Sequence, residues 1–256
     1  RRRFDDAAWE GAFAVIVGIP TETADGEKRV ALTPPVAEDL VEEGHEVCVA
    51  AGAGEGATFA DADYEAVGCE ILADREAVFE RAEVLFQVRG LGATDTETDP
   101  YREGQVVVGL LGPYEVTDDT LADLADRGVS AFSLELMPRI SRAQSMDALS
   151  SQASLGGYQA TLLAAEELPK MFPMEMTAAG TIQPAEVFVI GAGVAGLKAI
   201  ATAERLGAST KGHDVRLEVK REVESLGADF GKLELPTEET GDEERDAVDM
   251  SEEFYE

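Results

Sequence analysis

Cysteine and histidine are almost missing from this chain of 256 residues, at two each. Cys48 and Cys69 stand beside apolar residues in expected strands and form no C-x-x-C pair. They read as small buried side chains in a reducing cytosol, not as a disulfide framework. Two histidines, His45 and His213, without clustered cysteines give no basis for structural zinc, so no metal is expected. Lysine is scarce too, since most of the 21 basic residues are arginine, and they face 52 acidic ones for a net charge of −31. That surplus would repel phosphates and excludes nucleic acid as a partner. The acids are spread along the chain, which fits either an ordinary acidic enzyme or a protein adapted to molar salt. The salt-adapted, halophilic reading is favoured, because screening there shrinks to a few ångströms and self-repulsion matters little. No apolar run approaches the length that spans a bilayer, and no signal peptide is visible. Arg1-Arg2-Arg3-Phe4-Asp5-Asp6 has no apolar stretch behind it and reads as a loose extension over 1–14.

What is present is a regular alternation. The chain is 45% hydrophobic, and apolar runs alternate with amphipathic stretches as β then α, repeated. The expected strands are Phe13 to Ile19, His45 to Ala50, Glu83 to Val88, Gln105 to Leu110 and Val129 to Leu134. The expected helices are Thr33 to Glu43, closed by Gly44, then Asp61 to Val67 and Asp118 to Arg127. This spacing predicts an α/β fold with a parallel sheet and helices on both faces. A long helix is expected from Arg142 to Glu167, with a weak point at Gly156-Gly157. It bridges an N-terminal α/β domain (15–141) to a second, Rossmann-like domain (168–256). The fold class is therefore two doubly wound domains joined by a long helix. The second domain reaches about three strands where five or six are usual, so it reads as truncated.

The second domain opens with an apolar strand, Val187 to Ile190, followed by Gly191-Ala192-Gly193-Val194-Ala195-Gly196. A helix, Leu197 to Leu206, and a strand, Ser209 to His213, come next, with Asp214 at its end. G-x-G-x-x-G alone is weak evidence, but the strand, helix and terminal acid complete its context. Gly191 permits the tight turn, Gly193 the approach of a pyrophosphate, and Gly196 the close packing of helix on strand. The helix N-terminus offers free N–H groups and a positive dipole end, and Val194 in the turn joins the cofactor-binding set. Asp214 is placed to accept ribose hydroxyls and to repel a 2′-phosphate, so NAD(H) is the expected cofactor; Val215 and Arg216 complete the cofactor-binding set. Arg216 works against that preference, because arginine can pair with the same phosphate.

A second constellation lies at Pro138-Arg139-Ile140-Ser141-Arg142-Ala143-Gln144-Ser145-Met146-Asp147-Ala148-Leu149-Ser150-Ser151. It is dense in hydrogen-bonding groups. Gln144, Asp147 and Ser151 share one face if a helix has already begun, with Ser150 close by. Physics alone leaves two readings open here, a site or a solvated cap.

The run from Glu135 to Ser151 closely resembles the signature of the NAD(H)-binding component of proton-translocating NAD(P) transhydrogenases. Phe172-Pro173-Met174, Met176 to Ile182, Gly191 to Gly196, Ala199 to Leu206 and Glu222 to Ala228 continue the resemblance. Gly18-Ile19-Pro20 and Arg29-Val30-Ala31-Leu32-Thr33-Pro34 carry it toward the start. The resemblance implies a component that binds NAD(H) and meets an NADP(H)-binding partner, with hydride passing directly between the nicotinamide rings. It also implies a membrane-spanning partner that couples transfer to proton movement, a homodimer, and a cytoplasmic position on the inner face of the membrane through those partners. Arg139, Gln144, Asp147 and Ser150 are then the catalytic candidates at the nicotinamide end. Such a transfer needs no acid or base, only two rings in near contact in a dry site.

The departures are specific. The family's mobile loop with its Gly-Tyr pair is replaced by Asp242 to Asp249, ahead of a matching Met250-Ser251-Glu252-Glu253-Phe254. Alanine dehydrogenase is the alternative, with the same fold and the same early Arg-Val-Ala-Leu-Thr-Pro segment. Its lysine position corresponds to Arg89, and Val108 to Gly112 holds no histidine to serve as the acid of imine chemistry. A truncated NAD-binding protein without turnover is the further alternative.

Overall fold

The computed structural model describes residues 14–93 and 100–231. All but the last residue of the expected extension over 1–14, and the acidic stretch from Glu234 to Glu256 with Asp242 to Asp249 and Met250 to Phe254, lie outside the described residues. The chain divides into two compact units, Arg1–Asp147 and Ala148–Glu256.

The first unit is a doubly wound sheet. Its elements run β1 (Ile16–Ile19), α1 (Pro34–Glu42), β2 (Glu46–Ala50), α2 (Asp61–Ala66) and β3 (Glu70–Leu72). They continue with α3 (Arg75–Arg81), β4 (Val84–Arg89), β5 (Val106–Leu110), α4 (Asp118–Asp126) and β6 (Ser130–Ser133). Six strands pair in the order β3-β2-β1-β4-β5-β6, and every pairing is parallel. Strands covered on both faces must be apolar throughout, and β2 shows it: Val47, Cys48, Val49 and Ala50 are all buried. Both cysteines are buried and free, as expected.

α3 is an element that the alternation alone does not reveal, whereas β3 begins just past Cys69, where a strand is expected. α3 is short, so its ends must be satisfied from outside. Asp74 accepts the Ala77 N–H at 2.9 Å at its start. At its end the carbonyls of Phe79 and Ala82 accept from Gln105 Nε2 at 2.7 and 2.8 Å. The helix lies tight on β1, because a Cβ on Gly18 would stand 2.5 Å from the Ala82 Cβ. In α1, Thr33 takes the extended cap conformation ahead of Pro34 and Pro35, but its side chain makes no cap hydrogen bond. Gly44, just past that helix, has φ +93°.

The second unit begins with α5 (Ala148–Glu167), followed by a hairpin of β7 (Glu175–Thr177) and β8 (Gly180–Ile182). Then come β9 (Glu186–Ile190), α6 (Val194–Arg205), β10 (Ser209–His213), α7 (Lys220–Ser225) and β11 (Asp229–Phe230). The last three strands form a parallel sheet in the order β11-β10-β9. Val189 packs into a cluster with Ile200, Val219 and Val223, while Val187 joins Phe172, Ala185 and Ala203. Phe188 and Ile190 point to the other face and are exposed. α5 packs on α6 at Gly157, where a Cβ would come 2.1 Å from the Ala195 carbonyl oxygen. The Thr161 hydroxyl sits at the same crossing, 3.2 Å from the Ala199 carbonyl.

One expectation is corrected here. The helix expected from Arg142 begins at Ala148, and Ser141–Met146 form a 3₁₀ segment instead. Asp147 breaks the path with φ −78° and ψ 84°. Ser and Asp side chains in this run compete for backbone groups and favour such starts over helix interiors. Gln144 and Asp147 therefore do not share a face of α5.

Candidate functional site

The glycine turn joins β9 to α6. Gly191 has φ +94°, which only glycine adopts without strain, and its N–H donates to the His213 carbonyl at 2.8 Å. The turn thus hangs on the neighbouring strand. Gly196 permits the next step, since a Cβ there would lie 1.7 Å from the Gly191 carbonyl oxygen. Gly193 is the extended N-cap residue of α6, and no side chain caps that end. A Cβ added at Gly191 or Gly193 would meet nothing within 4 Å. Among the described residues, open space therefore stands over a helix start whose first N–H groups lack side-chain acceptors. That combination fits a pyrophosphate, which supplies the missing acceptors and the negative charge that the helix dipole favours.

Asp214 follows β10 and is 6% exposed. Its Oδ2 accepts the Ala192 N–H at 2.7 Å, which ties the acid to the glycine turn. Its Oδ1 accepts from the Arg216 backbone N–H at 2.8 Å, and the Arg216 guanidinium grips both oxygens at 3.0 Å. Burial alone would raise this carboxyl's pKa. The Arg216 side chain and the N–H groups of Arg216 and Ala192 outweigh that and bring it down to about 2. The group is thus a carboxylate at any physiological pH, and each of its oxygens already accepts two hydrogen bonds, from Ala192 and Arg216. Val215 beside it is exposed. Ala192, which couples turn to acid, has no sequence signature because its backbone does the work.

The other candidates lie along the stretch after β6. Arg139 and Gln144 are exposed, and Asp147 and Ser150 are half-buried. Gln144 and Asp147 are linked through the backbone, with the Asp147 N–H 3.4 Å from the Gln144 carbonyl. Ser150 stands in the first turn of α5. Gly191, Gly193, Val194, Gly196, Asp214 and Arg216 are brought together into one constellation, whereas Arg139, Gln144 and Asp147 are spaced along one stretch of chain. Neither His45 nor His213 lies in Val108 to Gly112, and His213 is buried with its Nδ1 2.8 Å from the Gly231 carbonyl. Among the described residues no cluster could hold a metal ion, and no helix is long and apolar enough to cross a membrane.

A parallel sheet, a glycine turn opening a helix, and a buried carboxylate ending the next strand together define a dinucleotide-binding α/β protein. The chain belongs to the alanine dehydrogenase/PNT family: residues 18–156 match the family's N-terminal domain and residues 160–251 its C-terminal domain. It is 42% identical over 225 residues to the NAD(P) transhydrogenase subunit alpha of Cereibacter sphaeroides, covering 88% of this chain and 42% of that protein. It also superposes on the crystal structure of transhydrogenase from Sinorhizobium meliloti with TM-score 0.79 and 46% identity, covering 86% of this chain and 62% of that one. An alanine dehydrogenase of Mycolicibacterium smegmatis is 32% identical over 226 residues, covering 86% of this chain and 58% of that protein. The chain spans about half the length of the curated relatives it matches.

Proposed function

We propose that this chain is the NAD(H)-binding portion of an NAD(P) transhydrogenase. In this reading hydride passes directly between NAD(H) held here and NADP(H) held on a partner component. Membrane-spanning partners couple the transfer to proton translocation and keep the protein peripheral on the inner, cytoplasmic face. A homodimer is part of the same reading. The observation that carries it is the Asp214 carboxylate, ionised and hydrogen-bonded to the glycine turn over an open helix start.

The bound nicotinamide supplies the carbon that gives or takes the hydride. The chain's residues have the simpler task of holding it. The N–H groups at the start of α6 bind the pyrophosphate. Asp214 accepts the ribose hydroxyls in exchange for bonds from the Arg216 guanidinium, and it disfavours a 2′-phosphate. Arg139, Gln144, Asp147 and Ser150 bind the carboxamide end and set the ring's position. None of these has to exchange a proton, which suits a stretch without histidine. Alanine dehydrogenase chemistry is disfavoured by the same residues, because Arg89 stands at its lysine position and Val108 to Gly112 offers no group that titrates near neutrality.

Gln144→Asn tests the reading in the complete protein, assembled with its NADP(H)-binding partner. NADH affinity should stay within about twofold, because the pyrophosphate and ribose contacts are untouched. Single-turnover transfer should fall on the order of a hundredfold, the effect of a displacement of about 1 Å at a reacting centre. Transfer within about threefold of wild type would make the stretch scaffolding, and its assignment to the nicotinamide would go with it.

A further inference from the structure

The end of β5 poses a hydrogen-bonding problem. The strand stops at Leu110, so the N–H groups of Leu111 and Gly112 leave the ladder, and Leu111 is buried. Groups of this kind must find acceptors. Both find Glu135: Oε2 accepts the Leu111 N–H at 3.1 Å and Oε1 accepts the Gly112 N–H at 3.0 Å. The Ser133 hydroxyl donates to Oε2 as well. Burial opposes ionisation of this carboxyl, but the bonds from Ser133, from its own N–H and from the Leu111 and Gly112 N–H groups hold it below its ordinary value. A charged carboxylate therefore clasps the end of β5 with both oxygens.

The clasp sits where the exposed run begins. Glu135 lies in the 3₁₀ turn Leu134–Leu136 directly after β6. From Leu136 to Met146, Ala143 is the one residue that is buried. The backbone hydrogen bonds along this run are short-range: Met137 to Leu134, Ile140 to Pro138, Ala143 to Ile140. A run with so little burial does not hold its own place against the sheet. Glu135 anchors its start directly to the sheet.

We infer that Glu135 is a positioning residue for hydride transfer: its two-oxygen grip on the Leu111 and Gly112 N–H groups fixes where Arg139 and Gln144 stand. The inference rests on the proposed assignment of that run to the nicotinamide. Glu135→Gln keeps the size but supplies one acceptor oxygen for two N–H donors, and its amide NH₂ faces a donor. Two measurements then separate the questions. Trypsin cleavage after Arg139 and Arg142, followed in the chain itself, reads whether the run has come loose and does not depend on any function. Single-turnover transfer and NADH affinity, measured in the complete protein with its partner, read the consequence.

In Glu135→Gln, cleavage should quicken by about fivefold or more, and transfer should fall by about tenfold, with NADH affinity within about twofold. Cleavage and transfer both at wild-type rates would overturn the inference. Glu22→Gln is the comparison, because Glu22 grips the Val88 and Arg89 N–H groups at 2.6 and 3.0 Å at the end of β4 in the same manner. An equal loss of transfer there would mean general loosening of the sheet ends, and the inference would fail. If Glu135→Gln does not fold, Ser133→Ala carries the test, and unchanged cleavage and transfer in that variant overturn it. A Gln144→Asn protein with wild-type transfer would remove the run's assignment to the nicotinamide, and with it the role of Glu135 in transfer, while the cleavage rates still decide whether Glu135 holds the run.

Discussion

Asp214 carries more consequences than any other side chain in the proposed site. It is bound to the glycine turn through Ala192 and to the guanidinium of Arg216. Asp214→Asn keeps an acceptor for Ala192 but removes the charge that repels a 2′-phosphate, and it frees Arg216 to pair with one. The wild-type protein should bind NADH well and NADPH poorly, and the variant should narrow that ratio about tenfold or more. Titration of each nucleotide by its own fluorescence measures both, and equal affinities in the wild type would remove the assignment of Asp214 to the ribose. The same residue sets a pH dependence. Its folded pKa of about 2 lies below the ordinary 3.8, so its stabilisation is present above about pH 4 and is lost as pH falls toward 2. Unfolding free energies of wild type and Asp214→Asn should differ by about 2 kcal/mol at pH 7, and the gap should close on that acid limb.

At the scale of elements, two adjacent glycines in α5 separate packing from propensity. A Cβ at Gly157 meets the Ala195 carbonyl oxygen at 2.1 Å, whereas one at Gly156 meets nothing within 4 Å. Gly157→Ala should push α5 off α6 and cost about 1–3 kcal/mol by overpacking. Gly156→Ala should gain about 0.5–1 kcal/mol, the ordinary helix preference for alanine over glycine. Urea unfolding of the two variants checks the opposite signs, and two shifts of the same sign would mean that this crossing is not the constraint. The glycine pair stands out in the sequence as a weak point, yet nothing there says which member faces a neighbouring backbone. The start of α5 escapes the sequence for a related reason. Arg142, Ala143, Gln144 and Ser145 are compatible with a helix, and only the backbone at Asp147 shows that the α-helix starts later.

At the scale of the whole molecule, the charge of −31 is the dominant feature. Few ion pairs offset it among the described residues, and exposed ones such as Arg81 with Glu46 are worth little in any case. Self-repulsion should therefore destabilise the folded protein in dilute buffer. The melting temperature should climb steeply between about 0.1 M and 2 M KCl, past the range in which simple screening saturates. A flat profile would assign the acidity to some other cause than adaptation to salt.

The sequence by itself determined the fold class, the glycine turn and its partner acid, because each rests on local chemistry. Apolar runs of strand length, a glycine where φ must be positive and an acid at a strand end are all legible one residue at a time. Cys48 is equally legible as a buried thiol from its apolar neighbours Val47 and Val49. The tertiary structure decided what depends on residues distant in the chain. α3 is held at its end by Gln105, 26 and 23 residues away from its partners. Glu135 reaches back 24 and 23 residues to the end of β5, so its clasp leaves no trace in the local pattern. A hydrogen bond of that span is set by how the sheet brings its strand ends together, and strand order is a property of the folded chain.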